Sequence, residues 1–261
     1  MAVRYDWISL TTDYGLADGF VAACHGVLAR LAPTVRVIDV THAVPPGDVA
    51  RGAAVLAQTA PYLPEAVHVA VVDPGVGTTR RAVLLETPGG LLVGPDNGLL
   101  GEAAQVLGGV VTAFELTEPG WFAPSVSATF HGRDMFAPVA ARLALGAPAA
   151  EAGPAIDPVS LVRLADPVVI TGDGYLDAEV RTIDRYGNIQ LAATGDALDH
   201  LGLRLQVGGM RAIRGSTFGD VRPGGLVVYV DSAGRVAIAI NGGRAVVALS
   251  AAPGEIIRII G

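Results

Sequence analysis

Two rhythms of apolar residues divide the sequence, and their order limits the fold more than any other feature. Up to about Leu145, short runs rich in β-branched residues alternate with stretches of helical spacing. The runs are Trp7-Ile-Ser-Leu, Val35-Arg-Val-Ile-Asp-Val and Val67-His-Val-Ala-Val-Val; between them, Phe20 to Leu31 and Asp48 to Thr59 carry the helical pattern. Near-continuous apolar strands separated by helices are the signature of a mostly parallel sheet covered on both faces. From Pro167 onward the helical period is gone. Strand-like runs follow one another at Tyr175 to Ile183, Leu203 to Val207, Leu226 to Val230, Val236 to Ile240, Ala245 to Leu249 and Ile256 to Ile260, punctuated by Arg222-Pro-Gly-Gly, Asp231-Ser-Ala-Gly and Asn241-Gly-Gly. Such spacing predicts a small antiparallel barrel-like domain. The Pro/Ala/Gly-rich stretch from Gly146 to Pro158 has neither period and reads as the connector, so the expected division is an α/β domain over 1–158 and a β-barrel-like domain over 159–261.

Composition removes several function classes. Hydrophobic residues make up 51% of the chain, yet no apolar run reaches the length of a membrane span. All eighteen basic residues are arginine, which rules out a Schiff-base lysine and the lysine of a phosphate-binding P-loop. A net charge of -7 without a basic stripe argues against a nucleic-acid partner. The single cysteine, Cys24, cannot form an internal disulfide, and the first residues lack an apolar leader, so a cytoplasmic location is expected.

In open parallel sheets ligands bind beyond the carboxyl ends of the strands. Three polar clusters follow apolar runs there. Asp13 and Asp18 follow the first; Asp13 suits either a turn or a ligand, and Asp18 suits either a ligand or a helix N-cap. After the third run, Asp73-Pro-Gly turns the chain and leaves a carboxylate at the strand end with Arg80 and Arg81 just beyond. The third cluster is Thr129-Phe-His-Gly-Arg-Asp-Met-Phe, where His131 stands near a helix N-terminus whose dipole disfavours imidazolium. Taken alone, each of these residues has an ordinary structural reading as an ion pair, a cap or a core histidine. As a set, Asp73, Arg80 and His131 lack a nucleophilic Ser or Cys beside them and suit activation of water. No metal motif of the H-x-H, H-E-x-x-H or paired-Cys kind is present, so no metal is expected, although Asp13, Asp18, Asp73, Asp96 and His131 would be the ligands of choice for a hard cation.

Six strings carry a resemblance that covers nearly the whole chain: Leu10-Thr-Thr-Asp-Tyr-Gly, Asp39-Val-Thr-His-Ala-Val-Pro-Pro-Gly-Asp, Val72-Asp-Pro-Gly-Val-Gly, Val93-Gly-Pro-Asp-Asn-Gly, Thr129-Phe-His-Gly-Arg-Asp-Met-Phe and Ile183-Asp-Arg-Tyr-Gly-Asn. In this order they resemble the S-adenosyl-L-methionine (SAM) hydroxide adenosyltransferases, relatives of the fluorinating and chlorinating enzymes. The resemblance implies cleavage of SAM to adenosine and methionine by water-derived hydroxide, without a cofactor, in a homotrimer with sites between subunits. It implies that Asp73, Arg80 and His131 are the catalytic set, with His131 or Asp73 taking the proton. It further implies that Asp13 holds the ribose hydroxyls, that Asp18, Asp184 and Ser232 receive the methionine end, and that Asn188 and the backbone after Asn241 read adenine. Tyr186 and Phe130 would supply flat surface. Gly132 is similar to the chloride-using relatives, and Gly47 stands where the fluorinating enzyme has a tryptophan, which leaves that side of the adenosyl group less enclosed. Outside the resemblance, a metal-dependent nucleotide or phosphoester hydrolase and a non-catalytic nucleoside sensor also accommodate these residues.

Overall fold

A computed structural model describes residues 5–261, which divide into two compact units, one running to Leu164 and the other covering Ala165–Gly261. The first contains β1 (Trp7–Thr12), α1 (Phe20–Leu31), β2 (Arg36–Thr41), α2 (Val49–Thr59), β3 (Ala66–Val71), β4 (Ala82–Thr87), β5 (Gly90–Pro95), α3 (Gly101–Val106), β6 (Thr112–Glu115), α4 (Ala137–Ala144) and β7 (Ala155–Ile156). Its sheet has the order β2-β1-β3-β5-β4-β6-β7. The pairs β1–β2, β1–β3 and β3–β5 are parallel, and the rest of the sheet is antiparallel.

The alternation of strand side chains explains why β3 reads as an apolar run broken only by His68, whose ring is buried against Ser9. Val67, Val69 and Val71 pack on one face with Leu28 of α1 and Val139, Ala140 and Leu143 of α4. On the other face Ala70 and Val72 meet Ala53 and Leu56 of α2 and Ala103 of α3. With helices on both faces, neither side of the strand is open to solvent. Helix α2 starts where expected, because the Asp48 side chain accepts the Arg51 N–H at 2.9 Å.

The connector expected over 146–158 is instead woven into the first unit. Ala155 and Ile156 form β7 on the edge of the sheet, Ser160 accepts from Arg81, and the Val162 N–H bonds Asp96 at 2.9 Å. The unit therefore extends to Leu164. A proline-rich stretch without period can still pair as an edge strand, where half its backbone groups need no partner.

The second unit contains β8 (Val169–Gly172), β9 (Tyr175–Ile183), β10 (Ile189–Thr194), β11 (Arg204–Val207), β12 (Met210–Arg214), β13 (Leu226–Val230), β14 (Arg235–Ile240), α5 (Ala245–Ala248) and β15 (Ile256–Ile260). Pairing runs β10-β14-β13-β12-β11-β15-β9-β8, and β9 also pairs with β10, closing a barrel of seven strands with β8 outside it. The barrel is mixed rather than wholly antiparallel, since β12 and β13 run parallel. Inward residues alternate along each strand, as in Leu176, Ala178 and Val180 of β9 and Ile189, Leu191 and Ala193 of β10. The run from Ala245 to Leu249 is not a strand. Both edges of β14 are already taken by β10 and β13, so the chain turns after Gly242-Gly243 and one helical turn sets Ala245 into the barrel core. Among the described residues no helix is long and apolar enough to cross a membrane.

Candidate active site

Parallel pairing brings the carboxyl ends of β1 and β3 side by side, with Thr12 opposite Val71. Asp13 and Asp73 follow these ends. The Asp13 carboxylate is oriented by the Gly47 N–H, which donates to Oδ2 at 2.8 Å. Beyond β3 the Val76 N–H returns to the Asp73 carbonyl at 3.2 Å, and the Asn97 side chain holds the Val72 carbonyl at 2.9 Å. This turn throws Arg80 back onto Asp73.

The contact is two-pronged. Arg80 Nε donates to both Asp73 oxygens at 3.0 Å, and Nη2 reaches Oδ2 at 2.5 Å. The same Nη2 lies 2.8 Å from His131 Nδ1. The pair is nearly sequestered, with 5% of the Asp73 side chain and 11% of the Arg80 side chain exposed. Arg81 takes the opposite direction and pairs with Asp96 at 2.6 Å.

His131 is presented by a five-residue π-helical turn, Gly132–Phe136, that runs directly into α4. Such turns widen a helix and re-aim the side chains at its start. The turn is anchored by buried Asp134, whose carboxylate accepts from Arg133 at 2.6 Å and from the Ser127 N–H at 2.9 Å. Arg133's hydrogen bond is the main cause holding the Asp134 carboxyl below its ordinary range.

Arginine nitrogens only donate, so His131 Nδ1 must accept, and the neutral ring carries its proton on Nε2. Partial burial, followed by the Arg80 charge, lowers the His131 pKa and keeps the ring neutral, against smaller opposing effects of Asp73 and Asp134.

A half-open pocket of about 110 Å³ lies here, walled by Asp13, Tyr14, Asp73, Pro74, His131 and Gly132 among others. Arg80 is not part of the wall; it bridges Asp73 and His131, which are. Tyr14 had no role assigned from sequence. Its ring meets Phe20 and Phe130, the latter edge-on at 5.6 Å, and burial keeps its phenol protonated, well above the ordinary tyrosine range. A Cβ on Gly132 would fall 2.1 Å from the Tyr14 hydroxyl, so only glycine fits beside this ring.

Not every expected residue joins this pocket. Asp18 is exposed, and it is not the N-cap of α1; that position is Gly19, with no side-chain cap. Phe130 supports Tyr14 rather than lining the pocket. The remaining candidates belong to the second unit. Asp184 accepts from the backbone of Tyr186 and Asn188 and from the Asn188 side chain, forming the β9–β10 turn, where Tyr186 is 75% exposed. Ser232 lies on the exposed β13–β14 turn, and the Asn241 side chain donates to the Val221 carbonyl at 2.7 Å.

The strand-end aspartates do not gather around one point. Among the described residues, the group of three metal-type side chains that does converge is His25, Asp39 and His42, which no motif announced.

The model of the SAM hydroxide adenosyltransferase N-terminal domain matches residues 8–153, and that of the C-terminal domain matches 178–258. The chain belongs to this family. A relative from Salinispora arenicola, named (R)-S-adenosyl-L-methionine hydrolase, is 67% identical over 253 residues, covering 97% of each chain. A fluorinase from an Actinoplanes species is 28% identical over 90% of each chain. The crystal structure of an uncharacterized conserved protein from Thermotoga maritima superposes with a TM-score of 0.90 at 35% identity, covering 97% of this chain and all of that one. In this family member the fold joins a strand-end carboxylate, a guanidinium and an imidazole at the edge of one pocket.

Proposed function

We propose that the chain hydrolyses SAM, joining a water oxygen to the 5′ carbon of the adenosyl group and releasing adenosine and L-methionine. The observation that carries this reading is the Asp73–Arg80–His131 contact at the pocket wall. Sulfur departs as a neutral thioether and needs no acid, so the chemical demand falls on the nucleophile. Water has a pKa of about 15.7, and its proton must leave as the new bond forms.

The tautomer divides the labour. Arg80 occupies His131 Nδ1, which leaves Nε2–H as a donor; an imidazole in that state orients water by donating to its oxygen. Arg80 cannot accept a proton either. Among the described residues Asp73 Oδ1 accepts from Arg80 Nε alone, at 3.0 Å, and retains lone-pair capacity. Asp73 is therefore the proton acceptor, His131 and Arg80 are its positioning partners, and the proton passes on to solvent. Attack comes from the side opposite sulfur. Holding the water about 3–3.5 Å behind the carbon supplies several kcal/mol through proximity.

Asp13, with one oxygen held by Gly47, suits the vicinal ribose hydroxyls. The roles of Asp18, Phe130, Asp184, Tyr186, Asn188, Ser232 and Asn241 toward substrate are carried over from the family as part of this reading. So are a cytoplasmic homotrimer and the lack of a cofactor; sedimentation at three chain masses checks the assembly. The relatives' names also specify the (R) form, and we extend that preference at the sulfonium centre to this chain.

Incubation with each sulfonium epimer in ¹⁸O water tests the proposal. The expected result is adenosine labelled at the 5′ hydroxyl and unlabelled methionine, faster from the (R) epimer. Binding without adenosine release would indicate a sensor, and loss of turnover on chelation with rescue by a divalent ion would indicate the metal-dependent alternative.

A further inference from the structure

We propose that His25, Asp39 and His42 form a binding site for one divalent transition-metal ion of the zinc class, separate from the Asp73–Arg80–His131 set. His25 comes from α1, Asp39 from β2, and His42 directly follows β2. Asp39 Oδ1 stands 2.9 Å from His25 Nε2 and 3.1 Å from His42 Nε2, and the three ligand atoms lie within 4.8 Å of one another.

The decisive residue is His42. Its side chain is 4% exposed, yet among the described residues Nε2 has no hydrogen-bond partner; Asp39 is close enough but out of line. A buried polar nitrogen without a partner is costly, and native structures almost always supply one. The other ring nitrogen, Nδ1, is 2.8 Å from Thr12 Oγ1. That is how a metal-binding histidine is held, with one nitrogen fixed to an outer partner and the other turned to the ion. When Thr12 accepts Nδ1–H, the Nε2 lone pair points to the space beside Asp39 Oδ1, where a cation satisfies both.

Two imidazoles and one carboxylate suit zinc and its neighbours better than magnesium or calcium, which prefer oxygen ligands. The side chains of His25 and Asp39 are 37% and 42% exposed, so solvent completes the coordination and gives the ion a way in. The site is also coupled to the pocket wall through backbone. The His42 carbonyl accepts the Gly15 N–H at 2.8 Å, and Thr12 Oγ1 accepts the Tyr14 N–H at 3.2 Å. A bound ion would brace the segment that carries Asp13 and Tyr14.

The test uses untagged, full-length protein treated with chelator, desalted and titrated with cobalt(II). One equivalent is expected to produce a visible d–d band that zinc abolishes, and zinc is expected to raise the melting temperature. His25→Ala and Asp39→Asn alter half-exposed side chains and should fold, as circular dichroism will verify; each is expected to weaken cobalt binding by about tenfold or more. No band with wild-type protein, or identical titrations in wild type and both variants, would overturn the proposal and leave a His–Asp–His ion-pair cluster. Because the readout is binding, it is independent of whether SAM is cleaved.

Discussion

Two separate substitutions, Asp73→Asn and His131→Gln, distinguish which side chain takes the proton. Asparagine at position 73 has nearly the shape of aspartate but is a far weaker base, and it removes the counter-ion of an Arg80 side chain that is 11% exposed. Loss of a general base costs about 10²- to 10⁴-fold, which corresponds to about 3–5 kcal/mol of barrier. Breaking a buried pair costs a further ~3–5 kcal/mol of stability, which a typical domain of about 5–15 kcal/mol survives in folded form. The His131→Gln variant behaves differently. Its amide keeps an N–H near the position of Nε2, so if the imidazole acts as a donor the loss stays below about tenfold, or about 1.4 kcal/mol. Turnover at saturating SAM is read as adenosine by chromatography, with equilibrium binding of SAM and thermal unfolding measured on the same preparations. The assignment fails if His131→Gln loses as much turnover as Asp73→Asn, because the imidazole is then the base. It also fails if the Asp73→Asn variant binds SAM and turns it over within about tenfold of wild type, since that is less than loss of a base costs.

Arg80→Lys keeps the charge but cannot grip Asp73 with a fork while also donating to His131; turnover should fall about 10²-fold through misplacement of both groups, with lesser change in KM. Gly132→Ala should destabilise by about 1–3 kcal/mol, because its Cβ would sit 2.1 Å from the Tyr14 hydroxyl, and Tyr14→Phe in the same chain should recover most of the loss in thermal unfolding. His131 is held below its ordinary 6.5, and protonation would end its acceptance from Arg80, so the acid limb of kcat/KM should lie below pH 6.5; a limb at or above that value contradicts the geometry. Burial lowers His68 to about 4, so the unfolded chain takes up a proton first as pH falls. The resulting stability is fully present above 6.5 and is lost progressively down to about 4, amounting to about 3 kcal/mol, and a His68→Leu variant should flatten that part of the urea midpoint against pH.

Much of the fold was legible because it is written in short-range periodicity. The bounds of α1, β9, β13 and β15 agree with the apolar pattern to the residue. The exceptions have long-range causes. Val246-Val247 has strand composition, but the closed barrel leaves β14 no free edge. The hairpin of β4 and β5 and the strands β8, β10 and β12 escaped notice because each depends on partners that local spacing does not name.

At the site, the chemistry on offer can be read along the chain: carboxylates at strand ends, no lysine, and one histidine beside a helix start. Which groups meet was set by the folded arrangement of distant segments. Arg80 and not Arg81 turns to Asp73, and it reaches a histidine 51 positions away because the loop after β3 and the start of the α4 segment converge at one edge of the sheet. His25, Asp39 and His42 meet in the same way, from a helix and a strand end. Strand and helix periods arise from each residue's own backbone and nearest neighbours, so they can be read along the chain. A hydrogen bond between distant side chains exists only after strand order and register have set their positions, and no local pattern encodes that distance.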